Sequence, residues 1–284
     1  MLFIRLISRF PFWLLYGISD FLFVLSYYVI RYRRKLVQKN LRNAFPEKSS
    51  DELAKIEKEF FRNLCDYAVE TLKILTINKE ELSRRVIFTN PGLVLRYLEA
   101  GQSVIHLASH QFNWELLLAK GSYVWGHQMD FVYQPVNNKF FNDLTLKIRT
   151  RFGGYAVRRD EVARETIRRK QLTRGICIVA DQYPGLGKDK RYAATFMNQE
   201  TVFFYGSNQI ATMMQMPVFF QIIKKVKRGH YEVTALELAQ PPYAKESEIV
   251  IERYIKAVET AIHEDPAGWL WSHNRWKKRH IKHT

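Results

Sequence analysis

The sequence predicts an α/β fold: a mixed central sheet flanked by helices, preceded by an N-terminal membrane-anchoring helix. Three observations carry this. β-rich runs alternate with helical patterns through the middle of the chain, the signature of a largely parallel sheet. Two late strands surround a turn at Arg228-Gly229, so the sheet is mixed. And residues 10–30, "FPFWLLYGISDFLFVLSYYVI", hold one charge, Asp20, over a length that matches a bilayer core.

Taken in order, the N-terminus comes first. Aromatic residues at both ends of the apolar run (Phe10, Phe12, Trp13; Tyr27, Tyr28) suit the two membrane interfaces. The stretch is too long for a secretory signal and has no small-residue cleavage site. The "RYRRK" flank outweighs Arg5 and Arg9 on the other side, which puts the body on the cytoplasmic side. The same run also suits a helix lying in the membrane plane. Residues 1–35 are therefore expected to be the anchor and residues 36–284 the catalytic domain.

Residues 49–52, "SSDE", form a capping box. They open a helix whose apolar face runs Leu53, Ile56, Phe60, Leu64, Ala68, Leu72, Leu75. Asn90-Pro91 starts a short helix that Gly101 ends. Strands are predicted at 103–109, 129–134, 155–158 and 176–181, with helical patterns between them. "KESEIVIERYIKAVETAIHEDP" is a closing helix, and the tail "WLWSHNRWKKRHIKHT" is aromatic and basic.

The net charge of +16 calls for an anionic partner. Cys65 and Cys177 make no disulfide or metal pattern and fit a reducing compartment. "HLASH" is a poor metal site, because His-x3-His shares a face on a helix and not on a strand. "GLGK" at 185–188 lacks the first Gly and the final Ser/Thr of a phosphate-binding loop. No nucleic-acid module accompanies the basic runs, among them Arg275, Lys277, Lys278 and Arg279 in the tail. Beside a membrane segment, lipid headgroups and an acidic carrier protein account for them better.

The chemistry concentrates in "SVIHLASHQFNWELLLAKG", residues 103–121. His110 and Glu115 stand where a strand turns into a helix, the edge where α/β sheets place their sites. Five residues of helix would set the two side chains about 140° apart. They are expected to meet because His110 lies in the turn and folds back on the first helical turn. Glu115 would then hold one ring nitrogen and raise the basicity of the other.

At these residues the chain resembles the bacterial lipid A late acyltransferases, the lauroyl/myristoyl transferase family. "HQFNWE" resembles the family's H-x4-(D/E) motif. "RKLVQKNLRNAFPE", "FGGYAVRRDE", "ICIVADQYPG", "TVFFYGSNQIATMMQMPVFF" and "PAGWLWSHNRWKKR" resemble its other blocks, in the right order, over nearly the whole chain. The resemblance implies a glycerolipid-acyltransferase-like fold at the bacterial inner membrane. It implies transfer of a fatty acyl chain from an acyl carrier protein thioester to a hydroxyl of a lipid A precursor, an anionic glycolipid. No covalent enzyme intermediate, cofactor or metal is implied, and no nucleic acid. His110 would be the general base and Glu115 its support. Arg158 and Arg159 are the candidate oxyanion donors. Asp181 and Gln182, at a strand end, could shape the pocket or bind sugar, and Asn113 joins the candidate substrate-binding residues. Cys65 and Cys177 read as structural. The rival readings are a lysophospholipid or aminolipid acyltransferase on the same scaffold, and a non-catalytic, membrane-tethered lipid-binding protein.

Overall fold

The computed structural model describes residues 2–125, 128–184 and 190–277. The 185–188 run and Lys278 and Arg279 lie outside these.

The chain begins with helices α1 (Leu2–Ser8) and α2 (Phe12–Val24), the latter continuing through a π-helical turn, Leu25–Val29. Helix α3 (Arg34–Ala44) leads to α4 (Ser50–Lys73). The box read at residues 49–52 caps α4: the Ser49 hydroxyl accepts from the Glu52 N–H, and the Glu52 carboxylate accepts from the Ser49 N–H. Then follow α5 (Lys79–Arg85), β1 (Val86–Phe88), α6 (Gly92–Glu99), β2 (Val104–Ala108), α7 (Trp114–Val124) and β3 (Gln128–Tyr133). After them come α8 (Lys139–Thr150), β4 (Tyr155–Arg158), α9 (Val162–Arg168) and β5 (Arg174–Val179). A hairpin, β6 (Arg191–Phe196) and β7 (Gln199–Phe204), precedes α10 (Gly206–Met214), β8 (Val218–Lys227), β9 (His230–Ala239) and α11 (Ile249–Glu264).

Seven strands form one sheet in the order β1-β9-β8-β2-β5-β3-β4. Its neighbours run parallel except β8 with β9, which pair antiparallel around the expected turn, so the sheet is mixed. Strand β2 lies near the middle and is buried along its whole length. Its side chains alternate: Ile105 and Leu107 enter the main core with α3, α4 and α11, and Val104 enters the opposite core beside Phe131 and Phe219. The hairpin β6–β7 is a separate two-stranded sheet.

One register detail positions the site. β2 and β5 pair in parallel, from Val104 with Gly175 to Ala108 with Val179. Carried two residues past the last pair, the same offset brings position 110 beside position 181.

Helix α2 lies antiparallel along α4 from end to end. Lys73 donates to the Phe10 carbonyl at 2.8 Å, Tyr16 to Glu70 at 3.1 Å and Ser19 to Asp66 at 2.7 Å, and Tyr27 packs edge-on against Phe61. Phe23 and Tyr27 belong to the main core.

Candidate active site

His110 leaves the end of β2 on a turn that the distant tail braces. The Phe112 N–H donates to the Gly268 carbonyl at 2.8 Å, and the Leu270 N–H donates to the His110 carbonyl at 3.0 Å. Gln111 bridges to Trp269. Phe112 is left-handed, at φ 44°, an uncommon state for an aromatic residue that these contacts hold in place. A Cβ at Gly268 would come within 2.6 Å of the Phe112 ring, so this close approach needs glycine. Asn113 caps α7, accepting from the Leu116 N–H at 3.0 Å.

The partner of His110 is Asp181. Its Oδ1 lies 2.5 Å from His110 Nδ1, and its Oδ2 accepts from the His110 N–H at 2.9 Å and the Trp269 indole N–H at 2.8 Å. Asp181 is fully buried. Burial pushes its pKa up, but the charge and hydrogen bonds of His110, with the Trp269 bond, outweigh burial, and the net shift is downward. An ionised Asp181 fixes the proton of neutral His110 on Nδ1 and leaves Nε2 as the basic nitrogen.

The expected His110–Glu115 contact is not made. Glu115 is the second residue of α7, past the cap, and its side chain turns toward α8. There Arg149 grips it through Nε at 2.8 Å and Nη2 at 2.5 Å, and the Trp114 indole adds a bond at 3.1 Å. The two side chains are drawn apart by their partners, His110 toward Asp181 at the end of β5 and Glu115 toward Arg149 of α8. Glu115 and His110 nonetheless line the same cavity.

That cavity has a volume of about 750 Å³, in the range of sites that enclose a ligand. His110, Glu115, Arg149, Arg159 and Gln182 contribute polar groups to its wall, and Leu117, Leu118, Phe131 and Ile210 are among its apolar residues. The Arg159 guanidinium sits 5.0 Å from the Phe204 ring. Arg158 is directed elsewhere: it pairs with Asp160 at 2.9 Å, half exposed, and does not line the cavity. Asn113 does not line it either, because its amide is used internally, donating to the buried Glu70 at 2.9 Å.

The tail differs from the surface expected of it. Trp269, Trp271 and Arg275 are buried. Arg275 donates from Nε to the Asp181 carbonyl at 2.7 Å and lies over the Phe203 ring at 4.3 Å. Burial lowers its pKa to about 10, against the pull of Asp181. Arg275 thus supports the site from inside and is closed to a headgroup, while Lys277 is exposed. Trp269 and Arg275 are the site residues that sequence reasoning missed. Their signal was a tail too rich in tryptophan for a solvated one.

The cysteines fit no nucleophilic role: burial pushes the Cys177 thiol up to about 12 and raises that of Cys65. His106 is buried, bonded to Gln221 at 3.0 Å and stacked on Trp125. Among the described residues no three His, Cys, Asp or Glu side chains gather as a metal site requires. The arrangement offers a carboxylate-supported imidazole at the wall of a large, partly apolar chamber. A family model described as bacterial lipid A biosynthesis acyltransferase matches residues 1–278. No curated protein matches the chain.

Proposed function

The chain belongs to the bacterial lipid A biosynthesis acyltransferase family, and from that premise we propose that it moves a fatty acyl chain from an acyl carrier protein thioester to a hydroxyl of a lipid A precursor, with His110 as general base. The observation that carries the mechanism is the pair His110 Nδ1–Asp181 Oδ1, 2.5 Å apart, with His110 at the wall of the cavity and Asp181 buried behind it. His110 Nε2 takes the proton of the acceptor hydroxyl as its oxygen attacks the thioester carbonyl. The new C–O bond gives a tetrahedral oxyanion. Its collapse breaks the C–S bond, and the leaving thiolate takes the proton back from Nε2. Asp181 stabilises the transient imidazolium. Arg159 is the candidate donor to the oxyanion, since it lines the same cavity, and Gln182 is the candidate for a polar group of the acceptor. Glu115 and Arg149 shape the chamber wall as a neutralised pair.

The donor follows from charge. A chain of +16 attracts an acidic carrier protein, and an apolar N-terminal helix with basic flanks suits the anionic cytoplasmic leaflet of the inner membrane, with the body on that side. The test is a rate assay with acyl carrier protein thioester, acyl-CoA and a lipid A precursor. His110→Ala should lose about 100- to 10,000-fold in turnover with folding and membrane attachment unchanged. Near-normal turnover of that variant would refute the base. Equal use of acyl-CoA at all salt concentrations would refute the carrier-protein donor.

A further inference from the structure

Helix α2 is apolar on its outward side as well as its inward one, unlike an ordinary surface helix. The residues turned outward are Trp13, Gly17, Phe21, Val24 and, past the end of the helix, Tyr28; their spacing of three and four makes one stripe. Trp13 is 74 % exposed and Phe21 66 %. The face turned inward carries Leu15 and Phe23 but also Ser19, which bonds Asp66. Tyr16, beside that face, bonds Glu70. At the margin of the stripe Asp20 is held by Arg228, 2.6 Å away at the tip of the β8–β9 hairpin, and Arg228 also grips Asp66 at 2.7 Å. So the side of α2 that meets the protein packs apolar side chains and is tied by hydrogen bonds, and the side that meets the surroundings is apolar apart from the ion-paired Asp20. A contiguous apolar stripe of this kind marks a surface that is covered.

The length of the helix alone would let it cross a bilayer. Its neighbours forbid that. α4 accompanies it throughout, with Lys73 at the Phe10 end, Glu70 and Asp66 in the middle and Arg62 over the Phe23 ring. A crossing α2 would carry α4 and the hairpin tip into the hydrocarbon, including the half-exposed pair Arg62–Glu59 and the exposed Asp20. Charges at that depth are strongly unfavourable. The ends of the helix point the same way. Arg5 and Arg9 before it, and Arg31, Arg33 and Lys35 after it, are exposed. They place positive charge beside both ends of the stripe, as a helix lying on an anionic surface requires.

We propose that α1, α2 and the turn after it lie in the plane of one leaflet, with the stripe from Trp13 to Tyr28 in the headgroup–acyl boundary of an anionic bilayer, and that the chain does not cross the membrane. This rests on the membrane reading given above and decides its geometry. The partner is the lipid surface, because its anionic headgroups match the basic flanks.

The test uses the full chain with an epitope tag at each terminus, in sealed spheroplasts and in inverted inner-membrane vesicles treated with protease. In-plane binding predicts that both tags are digested in the inverted vesicles and both survive in the spheroplasts. Tags digested from opposite sides would overturn the in-plane geometry and leave membrane attachment standing. A protein that never sediments with membranes would overturn both. Trp13→Glu combined with Phe21→Glu should reduce binding to vesicles containing phosphatidylglycerol by at least tenfold. If that variant binds vesicles as before but changes a dimer into a monomer, the stripe belongs to a second copy of the chain and the proposal fails.

Discussion

Asp181→Asn is the sharpest perturbation of the proposed site, because the asparagine keeps the shape and reverses one hydrogen bond. Asp181 receives three N–H groups: His110 N–H and the Trp269 indole on Oδ2, and His110 Nδ1 on Oδ1. An asparagine has one acceptor oxygen and one NH2. If the oxygen stays with the two donors at the Oδ2 position, the NH2 faces Nδ1 and can only donate. His110 must then move its proton from Nδ1 to Nε2, the nitrogen meant to act as base. If the amide flips, two buried N–H groups lose their acceptor at about 1–3 kcal/mol each. The first arrangement wins, since exchanging imidazole tautomers costs less. The variant therefore folds with the wrong tautomer and without the charge that supports an imidazolium. Removing general-base catalysis costs about 100- to 10,000-fold, or about 3–5 kcal/mol of barrier at 1.36 kcal/mol per decade. The assay is single-turnover acyl transfer with saturating donor, beside a thermal melt of the same sample. A well-folded Asp181→Asn within tenfold of the wild-type rate would show that His110 does not work through Asp181.

The remaining predictions concern stability. Glu115→Gln strands the largely buried Arg149 guanidinium, at a cost of about 3–5 kcal/mol; adding Arg149→Met should recover most of it, and denaturant titration of both variants checks this. A loss under about 1 kcal/mol for the single variant would show that the pair is not holding the chamber wall. Burial lowers the pKa of His106 to about 4, against about 6.5 in an unfolded chain. Between those values the unfolded chain binds the extra proton, so stability rises with pH there and is lost as pH falls below about 6.5, by up to about 3 kcal/mol from this residue. Melting curves from pH 4 to 7 should be steeper for wild type than for His106→Leu; parallel curves would refute the assignment.

Much of the sheet was legible. The strands read at 103–109, 129–134 and 155–158 and the pair about Arg228-Gly229 are present; the buried parallel strand β2 announces itself as an apolar run, and the antiparallel pair is marked by its glycine turn. The hairpin of β6 and β7 was not read. Its turn residues Met197 and Asn198 both have positive φ with no glycine between them, so the usual turn signal is missing. The histidine was legible and its partner was not. Sequence reasoning looked for a carboxylate on the next helical turn, whereas the pairing is set by the parallel register of β2 and β5, a relation across 71 positions that no local pattern encodes. For the same reason Arg275 read as a surface cation. Its burial depends on Phe203 of β7 and on the Asp181 carbonyl, both remote in sequence.

The bracing of the His110 turn by the tail sets the order in which the site can come into being. Trp269 and Arg275 follow His110 by 159 and 165 residues. At a synthesis rate of about 5–20 residues per second, His110 is made roughly 8–32 seconds before the indole that anchors its carboxylate. Once residue 181 has been made, β2 and β5 can pair, yet until Trp269 follows, the Asp181 carboxylate lacks its second side-chain donor and the 110–112 turn lacks its backbone partners. The arrangement closes only after residues 268–275 are drawn in behind the sheet, much as a keystone is set after the arch. A nascent or C-terminally clipped chain carries the histidine and the aspartate but not the scaffold that aligns them.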